Sequence, residues 1–473
     1  MLGLSVVTRN HEDVSDFVIG SFGDKRLCAI GGLLFKRLCS KLTVCIKNLA
    51  ETRALEVGIG RFLHNENVSI TEMEHALVEK TNHNCIGLPH VLGISDTVEN
   101  TFPGQRIKKS NFGYTSEKCT KGFFGHPVIM VDANSKDILG IGSIQAWNRS
   151  EETLAPIRTR LIEDKESFKW IKAAQNTFKN ITNPAKITMV YDREGDIYEL
   201  FDRVPNDKIE LLVRTSHNRR LVDGIFLSEH MDNIIENSEY KIELPSITGK
   251  RTARIATMRL KFSKVIMPKA KDIKINFKHT QIEVTCVEAT EISEPPAGEK
   301  PIYWRILTTH KVTTAQAALQ IVVWYTWRWT IEQIFRTLKT KGLGIENSQI
   351  EEPKALLKLF VLGIAAAVKV MCLVHARDGV TNRPASHMFS EMETVVLSQL
   401  LIKLQGKTIK QQNPFRKNSL SWASWIIARL GGWTGYRHKT ASPPGPITMH
   451  KGLSTFDNYV QAWKLFQNVN VVV

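Results

Sequence analysis

Three acidic residues stand where carboxylates could act on a phosphodiester. Asp96 closes the apolar run Val91-Leu92-Gly93-Ile94-Ser95, and Asp192 closes Lys186-Ile187-Thr188-Met189-Val190-Tyr191. Both runs read as β-strands, so the two carboxylates would emerge at one edge of a sheet. Each alone is as readily a turn residue, as Asp132 after Pro127–Val131 illustrates. Glu332 is the third. Tyr325, Arg328, Glu332, Arg336 and Lys339 share one helical face, while Val323, Trp327, Ile331, Ile334 and Leu338 make an apolar stripe on roughly the opposite one. A solvated face with i,i+4 pairs Arg328–Glu332 and Glu332–Arg336 has the same spacing, but Trp324, Trp327 and Trp329 set this one apart from a plain solvated face. Cleaving or exchanging a phosphodiester needs an activated hydroxyl and relief of charge at phosphorus. Two divalent ions roughly 3.5–4 Å apart, held by carboxylates, supply both.

The elements that must position these acids follow a definite order. Val91–Ser95, Pro127–Val131 and Ile138–Ile144 read as strands, the last two joined by the turn Asp132–Asp137. Residues 163–179 read as a helix, Lys186–Tyr191 as a fourth strand, Asp196–Val204 as a helix with Asp196 as N-cap, and Ile209–Thr215 as a fifth strand. The order β-β-β-α-β-α-β, with acids after the first and fourth strands, predicts an α/β, ribonuclease-H-like core. Strands at Tyr240–Leu244, Thr252–Phe262, Ile273–Phe277 and Gln281–Ala289 read as a β-strand insertion over about 222–300, rich in Lys and Arg between Lys250 and Lys278. It is an insertion because the helix that completes the core, 313–341, arrives only after it. Asp192-Arg-Glu-Gly-Asp196 holds two further acids, of which Glu194 reads as a bystander.

Helical segments flank this core. The division expected is a helical N-terminal domain (1–70), the core with its insertion (71–375) and a helical C-terminal domain (376–473). Leu27–Leu38 and Ala50–Leu63 read as helices in the first, and Leu420–Leu430, stopped by Gly431-Gly432, in the last. Gln405–Lys417 reads as a polar linker. The stretch Leu359–Val374 is apolar but carries Lys369 and falls short of a membrane span, so a buried helix at 353–376 is expected and no membrane partner. His11, Glu12, Asp13 and Asp16 occupy the place of a signal peptide's apolar core.

The chain carries 63 Lys and Arg against 47 Asp and Glu, a formal +16, which favours a polyanionic partner. From Lys25 to Lys47 six cations (Lys25, Arg26, Lys36, Arg37, Lys41, Lys47) run without an acid, a DNA-contacting face or a solvated one. Seven scattered cysteines with no Cys-x-x-Cys pair point away from a disulfide framework and from structural zinc.

The string Tyr325-x2-Arg328-x3-Glu332-x6-Lys339 resembles the Y-x2-R-x3-E-x6-K signature of bacterial DDE transposases of the insertion-sequence-four family. The likeness runs on, in order, through Phe22-Gly-Asp-Lys-Arg26, Arg61–Ser69, Ser95-Asp96-Thr97, Asp192–Asp196, Leu212-Val-Arg214, Trp304 and Ile427–Gly432. It implies that Asp96, Asp192 and Glu332 form a catalytic triad holding two Mg²⁺ ions, with Mn²⁺ as substitute, and no small-molecule cofactor. It implies nicking of transposon ends, hairpin formation and opening, and joining of the 3′-OH to target DNA. Tyr325, Arg328 and Lys339 are then phosphate grips, Arg336 stands where a Lys is usual, Arg214 and Arg219 contact phosphates, and Trp304 stacks a flipped base. Trp304 equally suits a core position in a Trp-Arg-Ile-Leu strand. Lys25 and Arg26 are implied to read the element's ends. The resemblance further implies a homodimer on double-stranded DNA, in a bacterial cytoplasm. The alternative is a catalytically poor end-binding protein or inhibitor derived from such an enzyme.

Overall fold

The computed structural model describes residues 18–104, 109–116, 120–149, 160–244, 246, 251–269, 277–340, 342–435 and 443–469. The chain divides into two compact units, Val78–Phe335 and Met1–Leu77 with Arg336–Val473. Its first helices are α1 (Lys25–Ser40), α2 (Ile46–Leu49), α3 (Arg53–His64) and α4 (Ile70–Asn84). Strands β1 (His90–Ser95), β2 (Val98–Thr101), β3 (Gly122–Asp132) and β4 (Ile138–Trp147) follow. Then come α5 (Phe168–Asn180), β5 (Lys186–Tyr191), α6 (Tyr198–Arg203), β6 (Ile209–Arg214) and α7 (Leu227–Asp232). The insertion supplies β7 (Ser238–Leu244), β8 (Arg254–Pro268) and β9 (Gln281–Glu291), with β10 (Tyr303–Thr308) after them. The chain continues through α8 (Ala315–Thr326), α9 (Trp329–Leu338), α10 (Pro353–Ala376), α11 (Glu391–Leu404), α12 (Leu420–Leu430) and α13 (Pro446–Val469).

In Val78–Phe335 the strands form one sheet. β4 pairs antiparallel with β3 and β3 with β1, while β1, β5 and β6 are parallel neighbours. The order β4-β3-β1-β5-β6 is that of a ribonuclease-H-like core. The insertion does not make a sheet of its own: β10 pairs antiparallel with β6, and β9, β8 and β7 continue outward from it. One face is covered by α5, whose Trp170, Ile171, Ala173 and Ala174 pack with Val128, Met130, Ile187 and Met189. Burying such a large apolar side chain fully contributes about 1.5–3 kcal/mol. The expected turn joins β3 to β4, with the Asp132 amide donating to the Asp137 carbonyl at 2.9 Å.

The unit Met1–Leu77 with Arg336–Val473 is helical, and α1, α3, α12 and α13 all pack on α10. The sequence was divided at about 70 and 375, but both terminal segments share this one unit because α10 offers them a common apolar surface. It is the one described helix long and apolar enough to cross a membrane, and 83% of that apolar window is buried in protein. Lys358 on it donates to the Leu63 and Asn65 carbonyls at 3.0 and 2.7 Å, so its buried ammonium is satisfied. Helices α12 and α13 meet through glycine: a Cβ on Gly431 would run into the Thr448 carbonyl, and one on Gly452 into that of Ile427.

Two expectations need correction. The helix at 313–341 is two helices broken at Trp327-Arg328, where the amides of Trp327 and Arg328 bond back three residues to Trp324 and Tyr325 at 3.1 Å. The run Val322–Thr330 is β-branched and aromatic, poor in helix formers, and the Thr326 hydroxyl donates to the Val323 carbonyl at 2.6 Å. Asp196 is not the N-cap of α6, a position held by Ile197; its carboxylate accepts from the Ser216 amide at 2.8 Å and pairs with Arg219. Pro446 opens the 24-residue α13, since a missing N–H costs nothing at a first helical position. The strand expected at Ile273–Phe277 lies, but for Phe277, outside the described residues.

Candidate active site

Parallel pairing of β1 and β5 sets the first two acids side by side. The register runs from His90↔Lys186 to Ile94↔Val190. Continued by two residues, it brings Asp96 level with Asp192 on strands about 4.8 Å apart. Each carboxylate is braced by a nearby amide, Asp96 by that of Thr97 at 2.7 Å and Asp192 by that of Glu194 at 2.9 Å. Asp192 thereby caps the short 3-10 turn Arg193–Gly195.

Glu332 comes from α9, and Arg328, in the break before it, joins the parts. Its Nη1 donates to Asp96 Oδ2 at 2.8 Å and its Nη2 to Glu332 Oε1 at 2.6 Å. The fork is largely buried, with 12% of the Arg328 side chain exposed. Even so, the Asp96 carboxyl is pushed up to about 6: burial and then the neighbouring Asp192 outweigh the guanidinium and the Thr97 amide. Asp192 is raised as well, by burial first and Glu194 next, against the pull of the Glu194 amide, Arg328 and Lys169. The site thus holds more negative charge than its one buried guanidinium offsets.

Oxygen donors with surplus negative charge suit a hard divalent ion. Among the described residues no three His, Cys, Asp or Glu side chains are gathered to ligate one ion as they stand. Arg328 bridges two of the three carboxylates that would have to do so. The donor chemistry therefore fits a divalent ion, and Arg328 holds the place of a cation between Asp96 and Glu332.

Beside the acids opens a pocket of about 420 Å³. Arg193, Arg214, Arg251, Lys300 and Arg328 give it five cations; Tyr303, Trp304, Tyr325 and Trp329 give it four aromatic rings. Trp304 and Tyr325 meet edge to face with centroids 6.2 Å apart. Arg214 is aimed by a bond from its Nη2 to the Tyr303 carbonyl at 3.1 Å. Cations and planar rings in one cleft can take a phosphate together with a base.

Of the residues singled out from the sequence, Asp96, Asp192, Glu332, Arg328, Tyr325, Trp304 and Arg214 fall at this site or its pocket. Arg219 does not line the pocket; it is spent on the buried Asp196 carboxylate. Arg336 and Lys339 belong to the helical unit, where Arg336 is exposed and Lys339 pairs with Glu346 at 3.0 Å. Lys25 and Arg26 are exposed on the first turn of α1, whereas Lys36 and Arg37 of the same run pair with Asp457 and Glu51 at 2.8 and 2.6 Å. Sequence reasoning missed Arg193, Arg251, Lys300 and Tyr303, and noted Trp329 only as one of three tryptophans around the Glu332 helix. Arg251 lies in the Lys/Arg-dense stretch already noted and Arg193 directly follows Asp192, so both carried a signal.

Residues 95–368, more than half of the chain, match the family described as Transposase DDE domain. A cryo-EM structure of a piggyBac transposase synaptic complex with hairpin DNA is similar at 9% identity and a TM-score of 0.36. The match covers 75% of this chain and 66% of that one, so the chain spans just under two thirds of the length of that transposase. The matched residues begin at Ser95, beside the first acid, and enclose the other two. The chain belongs to the transposase DDE domain family.

Proposed function

We propose that this chain is a cut-and-paste DNA transposase that nicks transposon ends, forms and opens hairpins, and joins the 3′-OH to target DNA. The observation that carries the reading is the meeting of Asp96, Asp192 and Glu332 around Arg328, beside a pocket of cations and aromatic rings. The finer assignment, to the insertion-sequence-four family and the neighbourhood of the transposon-five transposase, rests on the Tyr325-Arg328-Glu332-Lys339 signature.

Asp96, Asp192 and Glu332 would hold the ions, two Mg²⁺ or Mn²⁺ per site. When bound, such ions neutralise charge at the phosphorus and activate the attacking water or 3′-OH. The chain's own residues do the rest. Arg328, released from one carboxylate, presents a bidentate fork to a phosphate. Arg214 and Tyr325 hold the phosphates beside it, and Trp304 receives the base flipped out as the hairpin forms. Lys25 and Arg26, at the positive end of α1, suit the backbone of the element's end. The partners proposed are double-stranded DNA, at the ends and the target, and a second copy of this chain; the location is the bacterial cytoplasm.

One observation favours a second reading, an end-binding protein with little catalysis: Arg328 already engages two of the three carboxylates. A labelled duplex carrying the inverted repeats that flank the reading frame decides between them. Incubated with protein and Mg²⁺ and run on a denaturing gel, it should give site-specific nicks and hairpins with the wild type and none with Glu332→Gln. A retarded complex without cleavage in both samples would establish the binding-only reading.

A further inference from the structure

Between β1 and β2 the sheet is interrupted at the first acid. Both strands pair with β3 in a single antiparallel register, Ser95↔Val128 at the end of one and Val98↔Gly125 at the start of the other. The same register sets Asp96 opposite Pro127 and Thr97 opposite His126. Pro127 has no N–H, so it cannot donate to the ladder at that point. With the backbone ladder broken, something else must fix the dipeptide Asp96-Thr97.

His126 spans the gap with its side chain. Its Nε2 lies 2.9 Å from Ser95 Oγ and its Nδ1 3.0 Å from Thr97 Oγ1. The protons can be assigned by counting. Ser95 Oγ lies 3.0 Å from the Pro127 carbonyl, which only accepts, so the serine's one proton goes there. Ser95 Oγ must then accept from His126 Nε2–H. The ring is fully buried and held neutral, its ordinary value pushed well down by burial and by Lys169. A neutral ring protonated at Nε2 leaves Nδ1 to accept from the Thr97 hydroxyl. All three groups are satisfied in one arrangement, and they grip the residues on both sides of Asp96.

The clasp is itself held. The Trp170 ring meets His126 edge to face at 4.5 Å and packs against Tyr191 at 4.9 Å, while the Tyr191 hydroxyl donates to the Trp170 carbonyl at 3.0 Å. Tyr191 is the residue before Asp192. A single buried column therefore runs from the clasp on one acid to the chain that carries the other.

We infer that His126 is a positioning residue: through Ser95 and Thr97 it sets the direction in which Asp96 presents its carboxylate to a divalent ion. The inference rests on the reading of Asp96 as a metal ligand. Groups that orient metal ligands from behind typically change affinity by about 10–100-fold when removed.

The test is Mn²⁺ binding to the full chain without DNA, followed by the electron paramagnetic resonance signal of the free ion. His126→Phe removes both arms, His126→Gln keeps a donor near the Nε2 position, and Thr97→Val removes one hydroxyl at constant shape. Ser143→Ala, which deletes a fully buried hydroxyl on β4 that bonds the Ala173 carbonyl and lies across β3 from Ser95, is the control for structural loss alone. Half-saturation should rise about tenfold or more in His126→Phe and Thr97→Val. It should rise less in His126→Gln and stay near wild type in Ser143→Ala. Wild-type affinity in folded Thr97→Val and His126→Gln would overturn the inference, as would an equal loss in Ser143→Ala; Thr97→Val decides if His126→Phe does not fold. Asp96→Asn separates the two layers. Lost binding there with unchanged binding in the clasp variants sinks the clasp alone, and unchanged binding in Asp96→Asn overturns both.

Discussion

Arg328 donates from Nη1 to Asp96 Oδ2 at 2.8 Å, joining residues 232 apart in sequence, and its other arm reaches Glu332 four residues along. One guanidinium thus stands among carboxylates, and burial first and the neighbouring Asp192 next still push Asp96 up to about 6. In the proposed enzyme the same residue must let go before ions can be held, and its fork is then free for a phosphate.

Arg328→Gln should therefore weaken the metal-free protein and make it dependent on divalent ions. Removing one partner of a buried ion pair costs about 3–5 kcal/mol, and partial exposure of Asp96 and Glu332 puts this one at or below the lower end. Thermal unfolding in EDTA should show the loss, and Mg²⁺ should restore more stability to the variant than to the wild type. Equal stabilisation of both by Mg²⁺ would mean that Arg328 and the ion do not compete.

Trp304→Ala should leave the first nick intact and slow hairpin formation. Stacking of a base on an aromatic ring is worth about 1–3 kcal/mol, or roughly 5–150-fold in rate. Single-turnover gels with the terminal-repeat duplex separate the two steps. Normal hairpin rates would make Trp304 a packing residue of β10.

Stability against pH should carry two opposed signatures. His90 and His310, both bonded to the Thr188 hydroxyl, are held down to about 4, burial being the first cause for each. Their folded values lie below the unfolded 6.5, so this stability is present above pH 6.5 and is lost as pH falls from there through 4. Asp96 runs the other way: its folded value near 6 exceeds the unfolded 3.8, so its contribution is lost as pH rises from 3.8 through 6. Without metal, Asp96→Asn should be more stable than wild type at pH 7 by about 1–3 kcal/mol, with the gap closing towards pH 4. Denaturant unfolding at the two pH values measures it, and a variant less stable than wild type at pH 7 would contradict the raised Asp96.

Much of this was legible in the residues. The strands that carry Asp96 and Asp192 are short, mostly apolar runs, so their ends and the placing of both acids at one sheet edge follow from residue type and length, whereas the register between them does not. The Arg328–Glu332 pair was visible as i,i+4 spacing. The break at Trp327-Arg328 was not, because neither Gly nor Pro marks it, and only the crowding of β-branched and aromatic side chains distinguishes Val322–Thr330 from a good helix. The contact between Arg328 and Asp96 depends on tertiary packing that no local pattern encodes. Arg219 shows the converse failure: its type and place suit a phosphate contact, yet a buried acid 23 residues earlier takes its charge. His126 stands just before the strand read at Pro127–Val131 and carried no signal of its own; its use emerged only when β1 and β2 proved to share one register on β3.

The most direct test of the central claim, that Asp96 presents a ligand to a catalytic divalent ion, is to change the ligand atom. Asp96→Cys replaces oxygen by sulfur, a poor donor to Mg²⁺ and a more acceptable one to the softer Mn²⁺. The measurement is cleavage of the terminal-repeat duplex by this variant in each ion. The account predicts no cleavage in Mg²⁺, recovery in Mn²⁺, and end binding close to wild type throughout. Full cleavage in Mg²⁺, or no recovery in Mn²⁺ by a folded protein that still binds the duplex, would contradict it.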